Sequence, residues 1–312
     1  MATTQGAQMN AFLVEPGSGA SPTFDASSEI YAYLSESMAA KKANIDPNTI
    51  RGTREHFVAQ TREGLINVNG SVEIVPCKDD LDLWLPRIMG AAESTDDFDY
   101  AETLPSFAML IDKLNNVTSE FFQYTDCQVG KATFSGTAGE PLKLALDITA
   151  IKETLGVSWP GTPPTLATAA ADYQPWMFHD LALTIGGNSV TCYDISIMID
   201  NALEVKFGSG SNEAASITPV DRVVQLTCTI RWTNTQKTNI VQSAEQGRAG
   251  VATFTRGTTP ADVLTATFGA LQLDEKTTPT TGGKNEVTMS LTFTARQAAD
   301  GTASLSFSNA DG

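Results

Sequence analysis

The stretch GLINVNGSVEIVPCKDDLDLWLPRIMG, Gly64 to Gly90, decides the fold. Ile66, Val68, Val72 and Ile74 alternate with Asn67, Asn69, Ser71 and Glu73. A period of two is that of a strand with one face buried and the other polar. The pattern then changes period. Leu81, Trp84, Leu85, Ile88 and Met89 recur at helical spacing, with Asp79 placed to cap the first turn and Gly90 to close the last. Pro86 inside that pattern predicts a kink or a division into two turns.

Working outward, the same order of elements occurs a second time. Val220, Arg222, Val224, Leu226, Cys228, Ile230 and Trp232 alternate with Asp221, Val223, Gln225, Thr227, Thr229 and Arg231, another strand with a polar face. Asn234 or Thr235 can cap a following stretch bearing Ile240, Val241 and Ala244, ended by Gly247. Each half continues with two more apolar strands, Phe107 to Ile111 with Phe121 to Phe134, and Val251 to Phe254 with Val263 to Leu273. Gly130 marks a bend or bulge in the long first-half strand. After a Gly-containing turn each half ends on a regularly alternating strand, Leu142 to Ala150 and Val287 to Ala295. An internal repeat of this kind points to two tandem units.

Pro160, Pro163, Pro164 and Pro175, among Ala and Thr, give residues 155–175 the composition of a linker. The expected organisation is an N-terminal arm (1–21), a first module (22–156), a linker (157–171) and a second module (172–312). A strand at Glu29 to Leu34 leads into a long loop, Ser35 to Gly64, and one at Asp194 to Phe207 leads into the shorter Gly208 to Pro219. The first loop far exceeds the usual length of about 4–6 residues, a mark of functional or disordered loops. It carries Arg51, Arg54, Glu55, Arg62 and Glu63, a mixed-sign set suited to contact with another subunit.

Composition narrows the function. The 312 residues are 41% hydrophobic and only 18% charged, enough for two cores and rich in small β-compatible side chains. Twenty Lys and Arg against 36 Asp and Glu give a formal charge of −16, and no segment concentrates bases as a DNA-gripping surface requires. The N-terminal segment has no basic region followed by an apolar run, and no run nears the ~18 apolar residues of a membrane helix, so a cytoplasmic protein without membrane contact is expected. Cys77, Cys127, Cys192 and Cys228 lack paired spacing and read as free, mostly buried thiols.

Chemistry-bearing patterns are missing. The two histidines, His56 and His179, have no GxSxG serine to activate, and no GxGxxG, phosphate loop or HExxH occurs. Asp79, Asp80 and Asp82, like Asp96, Asp97 and Asp99, lack calcium-loop spacing and suit helix capping or a solvated face. No enzyme activity, metal or cofactor is expected.

The run from Arg51-Gly52-Thr53-Arg54 through GLINVNGSVEIVP, DDLDLWLPRIMG, PWMFHDLALTIGG and CYDISIMIDNALEVKFG resembles the bacteriophage tail tube family. The likeness spans residues 51–232 and rests on the order of these features. It implies a mainly β fold with a few short helices: two tandem β-sandwich or barrel-like modules, each with one flanking helix. Inner sheets of neighbouring modules would join into a β-barrel lining a tube. Six modules usually make a ring, so a duplicated chain implies stacked homotrimeric rings in the virion tail. Tape measure, terminator and distal tail proteins are the implied partners, with DNA passing through the channel unbound. The polar strand faces, Asn67, Asn69, Ser71 and Glu73 with Gln225, Thr227 and Thr229, are the candidates to line a net-negative wall. A capsid-decoration or fibre protein, or a β-sandwich adhesin, is the alternative.

Overall fold

The computed structural model describes residues 12–15, 22, 24, 28–47, 49, 52–90, 96–113, 121–157, 174–236, 247–257, 262–274, 279 and 286–310. The first half contains β1 (Phe12–Glu15), β2 (Glu29–Tyr31), β3 (Ser35–Glu36), β4 (Ala39–Ile45), β5 (Arg62–Ile74), α1 (Lys78–Met89), β6 (Asp97–Phe98), β7 (Phe107–Ile111), β8 (Phe121–Thr137), β9 (Lys143–Ala150) and β10 (Lys152–Val157). The second contains β11 (Leu181–Ile185), β12 (Asn188–Val190), β13 (Cys192–Asp200), β14 (Leu203–Phe207), β15 (Ala214–Pro219), β16 (Val223–Arg231), α2 (Asn234–Gln236), β17 (Arg248–Arg256), β18 (Asp262–Leu273), β19 (Thr288–Arg296) and β20 (Ser306–Ala310). The chain is mostly β with few short helices.

Every strand pairing among the described residues is antiparallel, and the order of pairing is the same in both halves. In the first, β5 pairs β9, β9 pairs β8, β8 pairs β7 and β10, β7 pairs β1, and β1 pairs β2. In the second, β16 pairs β19, β19 pairs β18, β18 pairs β17 and β20, β17 pairs β11, and β11 pairs β12. Even an irregularity recurs: Phe107 and Met109 face Cys127 and Tyr124, while Arg248 and Gly250 face Leu271 and Phe268.

The long strand β8 ties the layers together. Up to Cys127 it pairs with β7 and β10, and from Gln128 it pairs with β9. The register shifts between Val129 and Lys131, a bulge at the expected Gly130. Beyond it, β8 also takes β13 on its free edge, Phe134 standing opposite Ile197. Because β13 pairs β16 on its other side, the halves share one run of strands: β3 with β4, then β5, β9, β8, β13, β16, β19 and β18.

Alternation explains the core. Val68, Val72 and Ile74 of β5, Leu144, Leu146 and Ile148 of β9, and Leu226, Cys228 and Ile230 of β16 are all buried. Leu81, Trp84, Leu85, Ile88 and Met89 of α1 are fully buried with them, each aliphatic side chain contributing about 1.5–3 kcal/mol. Trp84 meets Tyr31 and Phe107 at 5.4 and 5.7 Å. The helix begins one turn-edge earlier than Asp79: Cys77 is its N-cap, and the Cys77 amide donates to Asp80 Oδ2 at 2.9 Å. It also runs unbroken past Pro86, which sits near the end and forfeits a single bond to the turn before it. Gly90 closes it in the left-handed conformation at φ 93°.

Three more expectations change, and a fourth falls largely outside the described residues. Residues 35–64 are not one loop, because β3, β4 and the start of β5 lie within it as paired strands. Within the expected N-terminal arm, residues 12–15 form a strand of the first-half sheet, paired with β7 and with β2. The strand expected over Asp194 to Phe207 breaks at Asn201 and Ala202, the latter at φ +40°, and β14 pairs with β15 as a separate hairpin. Of the second helix only Asn234–Gln236 is described; Ile240, Val241 and Ala244, and most of the Pro-rich linker, lie outside the described residues.

Candidate functional site

Two surfaces stand out, and neither is a catalytic pocket. The first is the polar face of the shared strand run, opposite the core. Asn67, Asn69, Ser71 and Glu73 lie there on β5, and Gln225, Thr227 and Thr229 lie there on β16, because their neighbours in sequence are the buried ones. The register brings Thr133, Ser135, Met198, Ser196, Thr292 and Thr294 into line with them. Thr227 and Thr292 hydroxyls meet at 3.3 Å.

The charges on this face have both signs. Lys41, Lys131, Lys143, Arg231 and Arg296 share it with Glu73, Asp147, Asp194 and Asp200, and Lys131 stands in register between Asp147 and Asp200. The face is therefore close to balanced. The chain's net charge of −16 belongs to the whole chain and not to this face.

The second surface is a pair of projecting hairpins. One is the arm formed by β4 and the first part of β5, held by pairing from Ala39 with Asn69 to Ile45 with Arg62. Arg54 and Glu55 lie in its exposed tip, and Arg62 and Glu63 at the start of β5; Arg51 lies outside the described residues. Lys42 binds Glu63 at 2.6 Å, and that hydrogen bond holds the Glu63 carboxyl below its ordinary value. The tip also carries two residues that charge-based reading missed, Phe57 and Val58, the latter 90% exposed. The other projection is the β14–β15 hairpin of the second half. The two touch where the Ile66 amide donates to the Asn212 carbonyl at 2.8 Å, beside an open cleft lined by Ile45, Leu65 and Glu213.

A buried polar joint fixes the halves to each other. Asn201, 1% exposed, donates through Nδ2 to the carbonyls of Ile88 and Val129 at 3.1 and 3.2 Å. Arg222 reaches Asn201 Oδ1 at 3.3 Å and the Ala101 carbonyl at 2.7 Å while lying 3.9 Å over the Tyr100 ring. Asn309, fully buried, donates to the Lys78 carbonyl at the start of α1 and to Asp82. Strand β6 of the first half pairs β20 of the second. Nothing in the sequence pattern announces these side chains.

The histidines are apart and peripheral. His56 contacts Asp46 on the arm, and His179, in a short turn before β11, is 3.5 Å from Asp180. Among the described residues no three His, Cys, Asp or Glu side chains converge where a metal could sit, and no helix is long and apolar enough to cross a membrane.

A β-rich chain whose distinctive surfaces are a broad polar sheet face and projecting hairpins is a structural protein. The phage tail tube protein family model matches residues 3–295, and the chain belongs to that family. Its role is that of a structural protein of the phage tail. Among curated proteins none matches the chain.

Proposed function

We propose that the chain is a tandem pair of tube modules, and that three chains close a ring of six modules through which DNA passes. The observation that carries this reading is the run of strands crossing from one half to the other at β8 and β13. With β3 and β4 counted as one interrupted strand, each half supplies four strands to it, in the same pairing order. Three chains would then supply about 24 strands, which at ~4.8 Å spacing and ~40° tilt close a barrel about 48 Å across. Side chains of ~5 Å on each side leave a lumen of about 38 Å, ample for a duplex roughly 20 Å wide.

In this arrangement the polar face, with Asn67, Asn69, Ser71, Glu73, Gln225, Thr227 and Thr229, lines the channel. Hydroxyls, amides and paired charges give a wall that neither grips nor strongly repels phosphates, whereas a basic wall would bind them in the salt-dependent way of DNA-binding proteins. The hairpins serve the contacts between successive rings. Arg54, Glu55, Arg62 and Glu63, with Arg51, give the arm its polar rim, and Phe57 and Val58 give it an apolar centre, the composition expected of an interface. Rings stacked in this way would meet the tail's end proteins and an internal length-setting protein at the tube's ends and lumen.

Electron microscopy of the concentrated chain tests the reading. Hollow tubes with a lumen of about 38 Å are expected; solid fibres, or particles that never enclose a channel, would contradict it.

A further inference from the structure

The two halves treat one strand edge differently. In the second half β13 is paired on both sides, by β16 and by β8. Its counterpart in pairing order, the β3–β4 strand, has β5 on one side and no strand on the other among the described residues. That open side is nevertheless occupied. The Ala40 amide donates to Glu153 Oε2 at 3.3 Å. The Met38 carbonyl accepts from the Tyr124 hydroxyl at 3.0 Å and from the Lys113 ammonium. Lys113 in turn pairs with Glu36 at 3.1 Å, and the Met38 amide donates to the same Glu36 carboxylate. Residues 38 and 40 are two apart, so these are the alternate backbone groups that an added antiparallel strand would take.

Register shows what replaces these side chains where the edge is paired. Met109 faces Tyr124 as Gly250 faces Phe268, so Phe268 stands where Tyr124 does. Carrying the same ladders along by one or two residues sets Phe254 at the place of Lys113 and Leu305 at the place of Glu153. Glu36 faces Val72 as Ile195 faces Cys228. Phe268, Phe254, Leu305 and Ile195 are all apolar and at most 2% exposed. Side chains able to satisfy a strand edge thus occur in the half whose edge is open, and apolar ones in the half whose edge already has a strand.

We propose that Glu153, Tyr124 and Lys113 form a latch over the β3–β4 edge of the free chain, and that a strand from a second copy of this chain displaces it as the ring closes. This rests on the ring reading above. The physical need is plain: an open edge invites uncontrolled pairing, and buried backbone groups require partners. A carboxylate, a phenol and an ammonium meet that need while remaining exchangeable for a strand. Latch opening then becomes part of the barrier to assembly.

Sedimentation velocity of the full chain across a concentration series tests the latch. Tyr124→Phe alone removes one hydroxyl, and Tyr124→Phe with Glu153→Leu installs the residues of the second half. Both should stay folded by circular dichroism, and the pair should lower the concentration at which rings appear by about tenfold, in keeping with the loss of a few competing hydrogen bonds. Ala40→Pro removes an N–H that points away from β5, a place where an edge strand tolerates proline, and should abolish ring closure in a folded chain. Rings that form at an unchanged or higher concentration in the Tyr124 and Glu153 variants, or that still close with Ala40→Pro, overturn the latch while leaving the ring reading in place. A chain that stays monomeric at every concentration overturns both.

Discussion

Cys77, Cys127 and Cys228 are buried, Cys192 is partly so, and all four are free. Burial pushes the Cys77 and Cys228 thiols up to about 12 and Cys192 to about 11, and raises Cys127 well above its ordinary value. Thiolate is the reactive form, so native protein should resist iodoacetamide at pH 8 while urea-unfolded protein takes up four labels by mass. Rapid labelling of the native chain would contradict the burial. The sign of the pH effect follows. Folded-state values above the unfolded ones mean that the neutral thiols stabilise fully below about pH 9 and that this contribution is lost as pH rises toward 12. Alkaline melting curves should fall in that window, and less steeply in a Cys228→Ala variant. Asn201 makes a second residue-scale test. Asn201→Ala leaves the Ile88 and Val129 carbonyls without its amide, at a cost of about 2–4 kcal/mol. Urea denaturation reads the loss, and a change below about 0.5 kcal/mol would show that the joint contributes little.

At the scale of elements, the proposed reading gives the arm a part in stacking and none in ring formation. Ile45 faces Arg62, so an Asn-Gly turn joining them can replace residues 46–61 without touching the core. That chain should fold and form rings that do not stack, and Val58→Asp should weaken stacking in the same direction by burying a charge at the contact. Normal tubes from the turn variant would remove the arm from the account. The arm also shows where sequence legibility ends. Strands β5, β9, β16 and β19 announce themselves by alternation because each has one face in the core. The stretch AAKKANI of β4 is largely exposed, so it carries no hydrophobic period and is held as a strand by backbone pairing and polar bonds such as Lys42 to Glu63. Gly70 reads as a break in the alternation of β5, but its reason is tertiary: a Cβ there would lie 2.5 Å from the Met38 Cα, so the crossing chain needs the missing side chain. The polar sheet faces were legible as faces. Asn201, Arg222 and Asn309 were not, because an isolated polar residue has no pattern until the fold buries it.

For the whole molecule, the tail tube family membership and the shared strand run bear on the same question of how copies assemble. On the proposed reading, the pairing of β8 with β13 does within one chain what a one-module subunit would have to do between chains. Two tube modules on one polypeptide, as proposed, would halve the number of chains needed to close a ring. At 33.2 kDa per chain, three chains give 3 × 33.2 = 99.6 kDa per ring, and six would give 6 × 33.2 = 199.2 kDa. Cryo-electron microscopy of assembled tubes is the most direct test. The account predicts three copies of this chain per ring, with pseudo-sixfold density and β8 beside β13 in alternate joints; a ring of six copies with true sixfold symmetry would contradict it.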